Sequence, residues 1–255
     1  MTDYPTNQER TNDYLQKFNR EKTIKFLIKD NQPLILDVGA NVGSSLDEFK
    51  EWWPDSSIHC FEPQHECWNG LEKSASKFQE KSVVINKCAI GSVPNNHATF
   101  YSHEISTGLS GFNKINLQSQ DSIHLNHLLK DNPQSLPEYE QSLNQERNVK
   151  IIRLDDYLEK LKINHINLLK IDTQGFENQV LEGLGERLAD VDVVVTELIF
   201  YDYYERSLSF SDIERFLIPA GFHLYDISHI SKNPMNGRTD WVDVIYVNNR
   251  LRPGV

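Results

Sequence analysis

The chain has 255 residues, 38% of them hydrophobic and 25% charged, which supplies enough apolar side chains for one sizeable α/β domain and excludes wholesale disorder. Lys and Arg number 26 against 37 Asp and Glu, a formal charge of −11, and a chain of that sign repels phosphate backbones and anionic lipid, so no nucleic-acid partner is expected. No apolar run approaches the ~18 residues that cross a bilayer, the first ten residues carry no secretory signal, and three cysteines cannot all pair, so a cytoplasmic protein with no membrane partner is expected.

Residues 1–30 read as a helical N-terminal extension packed by Tyr14, Phe18, Ile24 and Phe26, ahead of a main domain over 31–255. From Leu34 short apolar runs alternate with amphipathic stretches, the pattern of a parallel sheet with crossover helices. A buried strand is predicted over 34–38, then a helix over 44–53 with Leu46, Phe49 and Trp53 on one face. A second strand covers 58–61, and a helix runs through Cys67, Leu71 and Phe78. A third strand is predicted over 82–90, with a short strand over 98–102 pairing back on it.

The composition then shifts. Residues 107–148 are rich in Gln, Asn, Ser and Pro with little periodicity, which reads as a lid-like insertion carrying one short helix around 123–130. Regular structure resumes with a strand over 149–153, a helix over 154–161, a strand over 166–171 and a helix over 177–184. A strand over 191–197 and a helix over 211–218 follow, and two strands over 222–227 and 242–247 close the chain.

The chemistry concentrates at strand ends. The first strand runs into Gly39, Ala40, Asn41, Val42 and Gly43 and then a helix, a turn whose small residues let backbone approach a ligand. It lacks the middle glycine of the dinucleotide fingerprint, and Asp37 just before it suits an amino group. Glu62, with Pro63 after it, ends the second strand where an acidic residue accepts both hydroxyls of an adenosine ribose. Lys87, Cys88, Ala89 and Ile90 would then line the adenine.

Two blocks carry a resemblance: Leu36 to Gly43 at the front, and Leu154 to Leu158 followed by Leu169, Lys170, Ile171, Asp172, Thr173, Gln174, Gly175, Phe176, Glu177 and by Val180 to Gly183. On these the chain resembles class I S-adenosylmethionine-dependent methyltransferases, specifically the FkbM family of O-methyltransferases, over about residues 34–247. Thr173 and Gln174 stand where the family pattern has Val and Glu. The resemblance implies a Rossmann-like fold with a seven-stranded, mostly parallel sheet and a C-terminal antiparallel strand. It implies S-adenosyl-L-methionine as cofactor and methyl transfer to a hydroxyl of a sugar, glycan or secondary-metabolite scaffold.

Asp172 ends a central strand at the edge where open α/β sheets bind ligands. It could be the general base, orient the cofactor, or hold a divalent cation with Glu197 at the end of the next strand, an oxygen site that suits magnesium. Glu177 opens a helix, where dipole stabilisation and catalysis are both open. His103, His223 and His229 are alternative bases. His124 and His127 are helically spaced but lack a matching carboxylate or Cys for a metal. Tyr201, Tyr203 and Tyr204 suit either an aromatic wall against a sugar or macrolide, or packing on the next helix. A nicotinamide-dependent oxidoreductase and a non-catalytic binding subunit are the competing readings, and a homo-oligomer is compatible with all three.

Overall fold

A computed structural model describes residues 5–79, 81–103, 106–122, 139 and 141–251. The predicted helix around 123–130, with His124 and His127, lies outside the described residues. Helix α1 (Asn7–Lys17) opens on a reciprocal cap between Thr6 and Glu9, and α2 (Arg20–Leu27) on Asn19, whose side chain accepts from the Lys22 amide. Strand and helix then alternate as β1 (Leu34–Val38), α3 (Ser44–Trp52), β2 (Ser57–Phe61), α4 (His65–Ala75) and β3 (Val83–Asn86). Next come β4 (Ala89–Ile90), β5 (Asn95–Ser102), β6 (Gln145–Ile152), α5 (Leu154–Leu161), β7 (Ile166–Ile171) and α6 (Glu177–Leu184). The chain closes with β8 (Val191–Ile199), α7 (Phe210–Leu217), β9 (Phe222–Lys232) and β10 (Thr239–Asn248).

Seven strands form one sheet in the order β3-β2-β1-β7-β8-β10-β9. Strands β1, β2, β3, β7 and β8 pair in parallel, while β10 runs antiparallel to both its neighbours. The fold is therefore α/β and Rossmann-like, with the predicted antiparallel strand near the C-terminal edge. All six residues of β7 are buried, as expected of a parallel strand covered on both faces. One face packs Leu154, Leu158, Val180, Leu181, Ile213 and Leu217 of α5, α6 and α7. The other packs Ile24 and Leu27 of α2, Leu46 and Phe49 of α3, and Leu71 of α4. Among the described residues no helix is long and apolar enough to cross a membrane.

Between Asn86 and Ala89 the structure departs from the expected single strand over 82–90. The Cys88 amide turns back onto Asn86 O at 2.9 Å, which ends β3 and sends Ala89 and Ile90 out of the main sheet. They pair in parallel with β6, and β5 pairs antiparallel with the other edge of β6. The strand expected over 98–102 thus pairs with β6 and not with β3, because β3 ends before the chain reaches it. The resulting three-stranded sheet, β4-β6-β5, stands beside the carboxyl ends of β1 and β2. The strands expected over 149–153 and 222–227 are longer at one end, as β6 and β9, because their exposed residues lack the apolar signal that sequence periodicity reads.

Candidate active site

The order of the main sheet reverses at β1, whose neighbours are β2 and β7, and such a switch point opens a crevice at the carboxyl ends of the strands. A cavity of about 400 Å³ lies there, within the range of small-molecule sites. Its wall includes Val38 to Asn41 from the end of β1, Phe61 to Gln64 from the end of β2, and Ala89 and Ile90 of β4. Phe100 and Phe112, the segment Ser106–Gly108, Ser110, and Lys170 and Asp172 to Gln174 complete it, with Ser44 and Ser45 at the start of α3.

Gly39 has φ +83, and a Cβ on it would lie 1.8 Å from the carbonyl oxygen of Asp172. Only glycine lets β1 turn this close to β7. The amides of the turn are all used inside the protein: Gly39 and Ala40 donate to Phe61 O, and Gly43 to Ala40 O. Asn41 donates to Glu62 Oε2 at 2.8 Å, and Val42 to Asn41 Oδ1. The turn therefore offers a ligand space and carbonyl oxygens, and no free donor for an anionic group. Val42, Gly43 and Cys88 stay off the cavity wall, unlike Gly39, Ala40, Asn41, Glu62, Pro63, Ala89 and Ile90.

Glu62 is buried. Its second oxygen accepts the Gln64 amide at 2.7 Å, so each carboxylate oxygen holds one backbone donor and keeps capacity for another. Burial pushes its pKa up to about 7 against the pull of the two amides. Gln64 in turn donates to Thr107 O at 3.0 Å, and the Thr107 hydroxyl donates to Asn41 Oδ1. Those two bonds pin the short helical turn Thr107–Leu109 over the glycine turn.

Asp37 lies deeper than the wall. Its carboxylate is fully buried, and neither oxygen has a hydrogen-bond partner. Lys170 Nζ stands 3.3 Å from Asp37 and 3.3 Å from Asp172 Oδ2, and donates to Gly39 O at 3.2 Å. Burial opposes the charge on Lys170, but the two carboxylates outweigh it and hold the ammonium above its ordinary pKa. Burial likewise raises Asp37, against the pull of Lys170. Lys170 sits inside the second resembling block, whose spacing alone assigns it no role. The signal was there: a lone cation inside the apolar run of β7 must have a partner, and it is paired in register with Asp37.

Asp172 and Glu197, open as a pair for a divalent cation, are bridged by a side-chain amide. Gln174 Nε2 lies between them, donating to Asp172 Oδ1 at 2.9 Å and to Glu197 Oε1 at 3.3 Å. Lys170 takes the other oxygen of Asp172, and among the described residues no three His, Cys, Asp or Glu side chains group to hold a metal ion. A cation would have to displace an amide and an ammonium that already satisfy these carboxylates. Burial, with Asp172 and Asp243 adding to it, pushes Glu197 up to about 8. Glu197 is off the cavity wall, behind Gln174. Glu177 is buried and accepts from the Thr173 amide and hydroxyl and from the Gly175 amide, so it holds the turn that carries Gln174.

The histidines lie elsewhere. His103 is buried with Nε2 3.1 Å from the Tyr203 hydroxyl, burial drops its pKa to about 4, and it is not on the cavity wall. His223 pairs with Asn249, at the opposite end of the sheet. His229 stacks on Trp241 at 4.7 Å. Tyr203 and Tyr204 are buried, and they pack beneath the site instead of walling it. The aromatic face of the cavity comes from Phe100 and Phe112, which meet edge to face at 5.2 Å, with Phe176 packed on Phe112 at 4.3 Å. Phe100 belongs to β5 of the second sheet, Phe112 follows the Gly111 bridge to Tyr101 beside it, and Phe176 caps α6.

A family model for the methyltransferase FkbM domain matches residues 37–224, from the buried Asp37 through the start of β9. The chain belongs to the FkbM methyltransferase family. This membership sets aside the oxidoreductase reading. A curated relative, Methyltransferase 1 of Beauveria bassiana (strain ARSEF 2860), is 26% identical over 166 residues, 64% of this chain and 64% of that protein. The 2-O-methyltransferase NoeI of Sinorhizobium fredii (strain NBRC 101917 / NGR234) is 26% identical over 197 residues, 73% of this chain and 72% of its own. The crystal structure of the methyltransferase FkbM from Methylobacillus flagellatus KT is similar in fold, with a TM-score of 0.51 at 11% identity over 85% of this chain. This FkbM domain spans 44% of that longer chain.

Proposed function

We propose that the protein is an S-adenosylmethionine-dependent O-methyltransferase acting on a hydroxyl of a sugar, glycan or secondary-metabolite scaffold. The observation that carries this reading is Glu62, a buried carboxylate on the cavity wall whose two oxygens each keep room for one more donor. That arrangement fits the adjacent hydroxyls of a ribose. The glycine turn, with no amide to spare, suits an uncharged or cationic group over a pyrophosphate. Ala89, Ile90 and Phe112 offer apolar surface for a purine.

Bound there, S-adenosylmethionine would supply an electrophilic methyl group. The chain's own work is alignment and exclusion of water, effects that can each remove several kcal/mol from a barrier. Asp172, the carboxylate at the wall beside Gly39, draws the cationic end of the ligand and is the chain's candidate to receive the acceptor's proton. Glu197 and His103 stand back from the wall and serve the packing around it. The turn Thr107–Leu109, tied to Asn41 and Gln64, lies where the acceptor would rest; of the insertion expected over 107–148, Gln145 to Asn148 belong to β6 and 123–138 and 140 lie outside the described residues. A cytoplasmic location and a small-molecule or glycan acceptor follow from the same reading.

Calorimetry with S-adenosylhomocysteine and with NAD tests it. Binding of the first alone supports the reading, and binding of NAD alone, or of neither, overturns it. Incubation with methyl-labelled S-adenosylmethionine and a panel of sugars, read by mass spectrometry, then finds the acceptor.

A further inference from the structure

Gln174 stands in the bend after β7 with φ +56, on the wall of the cavity. Its side chain, where the family pattern has Glu, touches three groups at once. Nε2 donates to Asp172 Oδ1 at 2.9 Å and to Glu197 Oε1 at 3.3 Å, while Oε1 faces the Tyr204 hydroxyl at 2.8 Å. Both protons of the amide point at carboxyl groups and its oxygen at a hydroxyl, so a flipped amide would turn its oxygen on the Asp172 carboxylate. The backbone under it is held as well, because Asn113 Nδ2 donates to Gly175 O at 2.8 Å. Tyr204 is buried, and its one hydroxyl proton is shared between Gln174 Oε1 and Leu109 O, each 2.8 Å away.

We propose that Gln174 is a positioning residue: clamped by Tyr204, its neutral amide fixes the Asp172 carboxylate against the cavity and keeps it apart from Glu197. Lys170 holds one oxygen of Asp172 and Gln174 the other, so the side chain has one orientation toward a bound ligand. A carboxylate in place of the amide would put negative charge against Asp172 and remove the donor that Asp172 and Glu197 share. The surrounding charges sharpen this effect: Glu177 of α6 and Asp243 of β10 act on Glu197 from either side, and Tyr201 faces Glu197 from the segment after β8. Lys170, shared with Asp37 of β1, is the cation bound into this cluster. Arg206 lines the small cavity next to Glu197. The inference rests on the reading that the cavity binds S-adenosylmethionine.

The test is the affinity for S-adenosylhomocysteine, by calorimetry between about pH 5.5 and 8.5, of the wild type, Gln174→Glu and Tyr204→Phe. The ratio of variant to wild type at each pH cancels titrations that the two share. Gln174→Glu is expected to bind about tenfold more weakly at pH 8, with the ratio closing toward one at pH 5.5 as the introduced carboxyl takes up a proton and regains a donor. Tyr204→Phe, which frees the amide without adding charge, is expected to lose about threefold at every pH. A Gln174→Glu ratio that does not change with pH, or full affinity in both variants, overturns the inference while leaving the cofactor reading intact. A wild type that gives no heat with S-adenosylhomocysteine overturns both. If circular dichroism shows Gln174→Glu to be unfolded, Tyr204→Phe decides alone, and its unchanged affinity overturns the proposal.

Discussion

A single methyl group at residue 39 would undo the junction on which the site is built. Gly39→Ala places a Cβ within 1.8 Å of the backbone oxygen of Asp172, just past the end of the central strand β7, at a φ of +83. Neither side of that contact can swing away, so a loss of about 2–4 kcal/mol in urea unfolding is expected. Glu62 gives a different kind of prediction. Its folded pKa of about 7 lies above the ordinary value of 4.5 for a glutamate. Its ionisation therefore withdraws stability as pH rises from about 4.5 to 7, and a ligand hydroxyl that donates to it favours the ionised form. Affinity for S-adenosylhomocysteine should rise with pH and level off above about 7. Glu62→Gln should bind at least about tenfold more weakly at pH 8 and lose that dependence, which a calorimetric pH series measures directly.

At the scale of elements, the second sheet is a working part of the site because β4 supplies Ala89 and Ile90 to the wall. Helix α6 packs so tightly behind it that a Cβ on Gly183 would lie 2.3 Å from Gly91 O. Gly183→Ala is expected to lower the melting temperature and the affinity for S-adenosylhomocysteine together, whereas a purely structural cost would leave the affinity of the folded protein unchanged. This element also marks the limit of what sequence revealed. Strands β1, β7 and β8 are apolar runs of five to nine residues and were legible, as were the glycine turn and Glu62 at a strand end. The break after Asn86 was not, since Ser82 to Ile90 reads as one β-prone run and only a local amide contact bends it. Lys170 and Gln174 escaped for a similar reason: each acts through neighbours brought in by register, which spacing along one chain does not encode.

Across the whole molecule, burial is uneven. Helix α1 buries no residue and touches the body through the Tyr14 hydroxyl at Asp226, whereas Ile24, Leu27 and Ile28 are 0%, 4% and 3% exposed. Removal of residues 1–18 should change stability by less than about 1 kcal/mol, while removal of 1–28 should cost several, at about 1.5–3 kcal/mol for each of the three side chains. Urea unfolding of the two truncations separates them. The far edge of the sheet carries its own safeguard. Strand β9 exposes Leu224, Ile227 and Ile230, but its pairing with β10 shifts register between Asp243 and Val244 and again between Ile245 and Tyr246, bulges that twist an edge away from foreign strands.

The pairing of β1 with β7 sets a clock on synthesis. Val38 lies beside Ile171, so one side of the first strand to leave the ribosome waits for its neighbour until 133 more residues have been made (171 minus 38). At about 5–20 residues per second that interval is roughly 7–27 s. During it β1, β2 and β3 can associate, yet an apolar strand edge stays open to solvent and to other nascent chains. A chaperone that binds extended apolar segments would find its longest opportunity there, before Ile171 emerges.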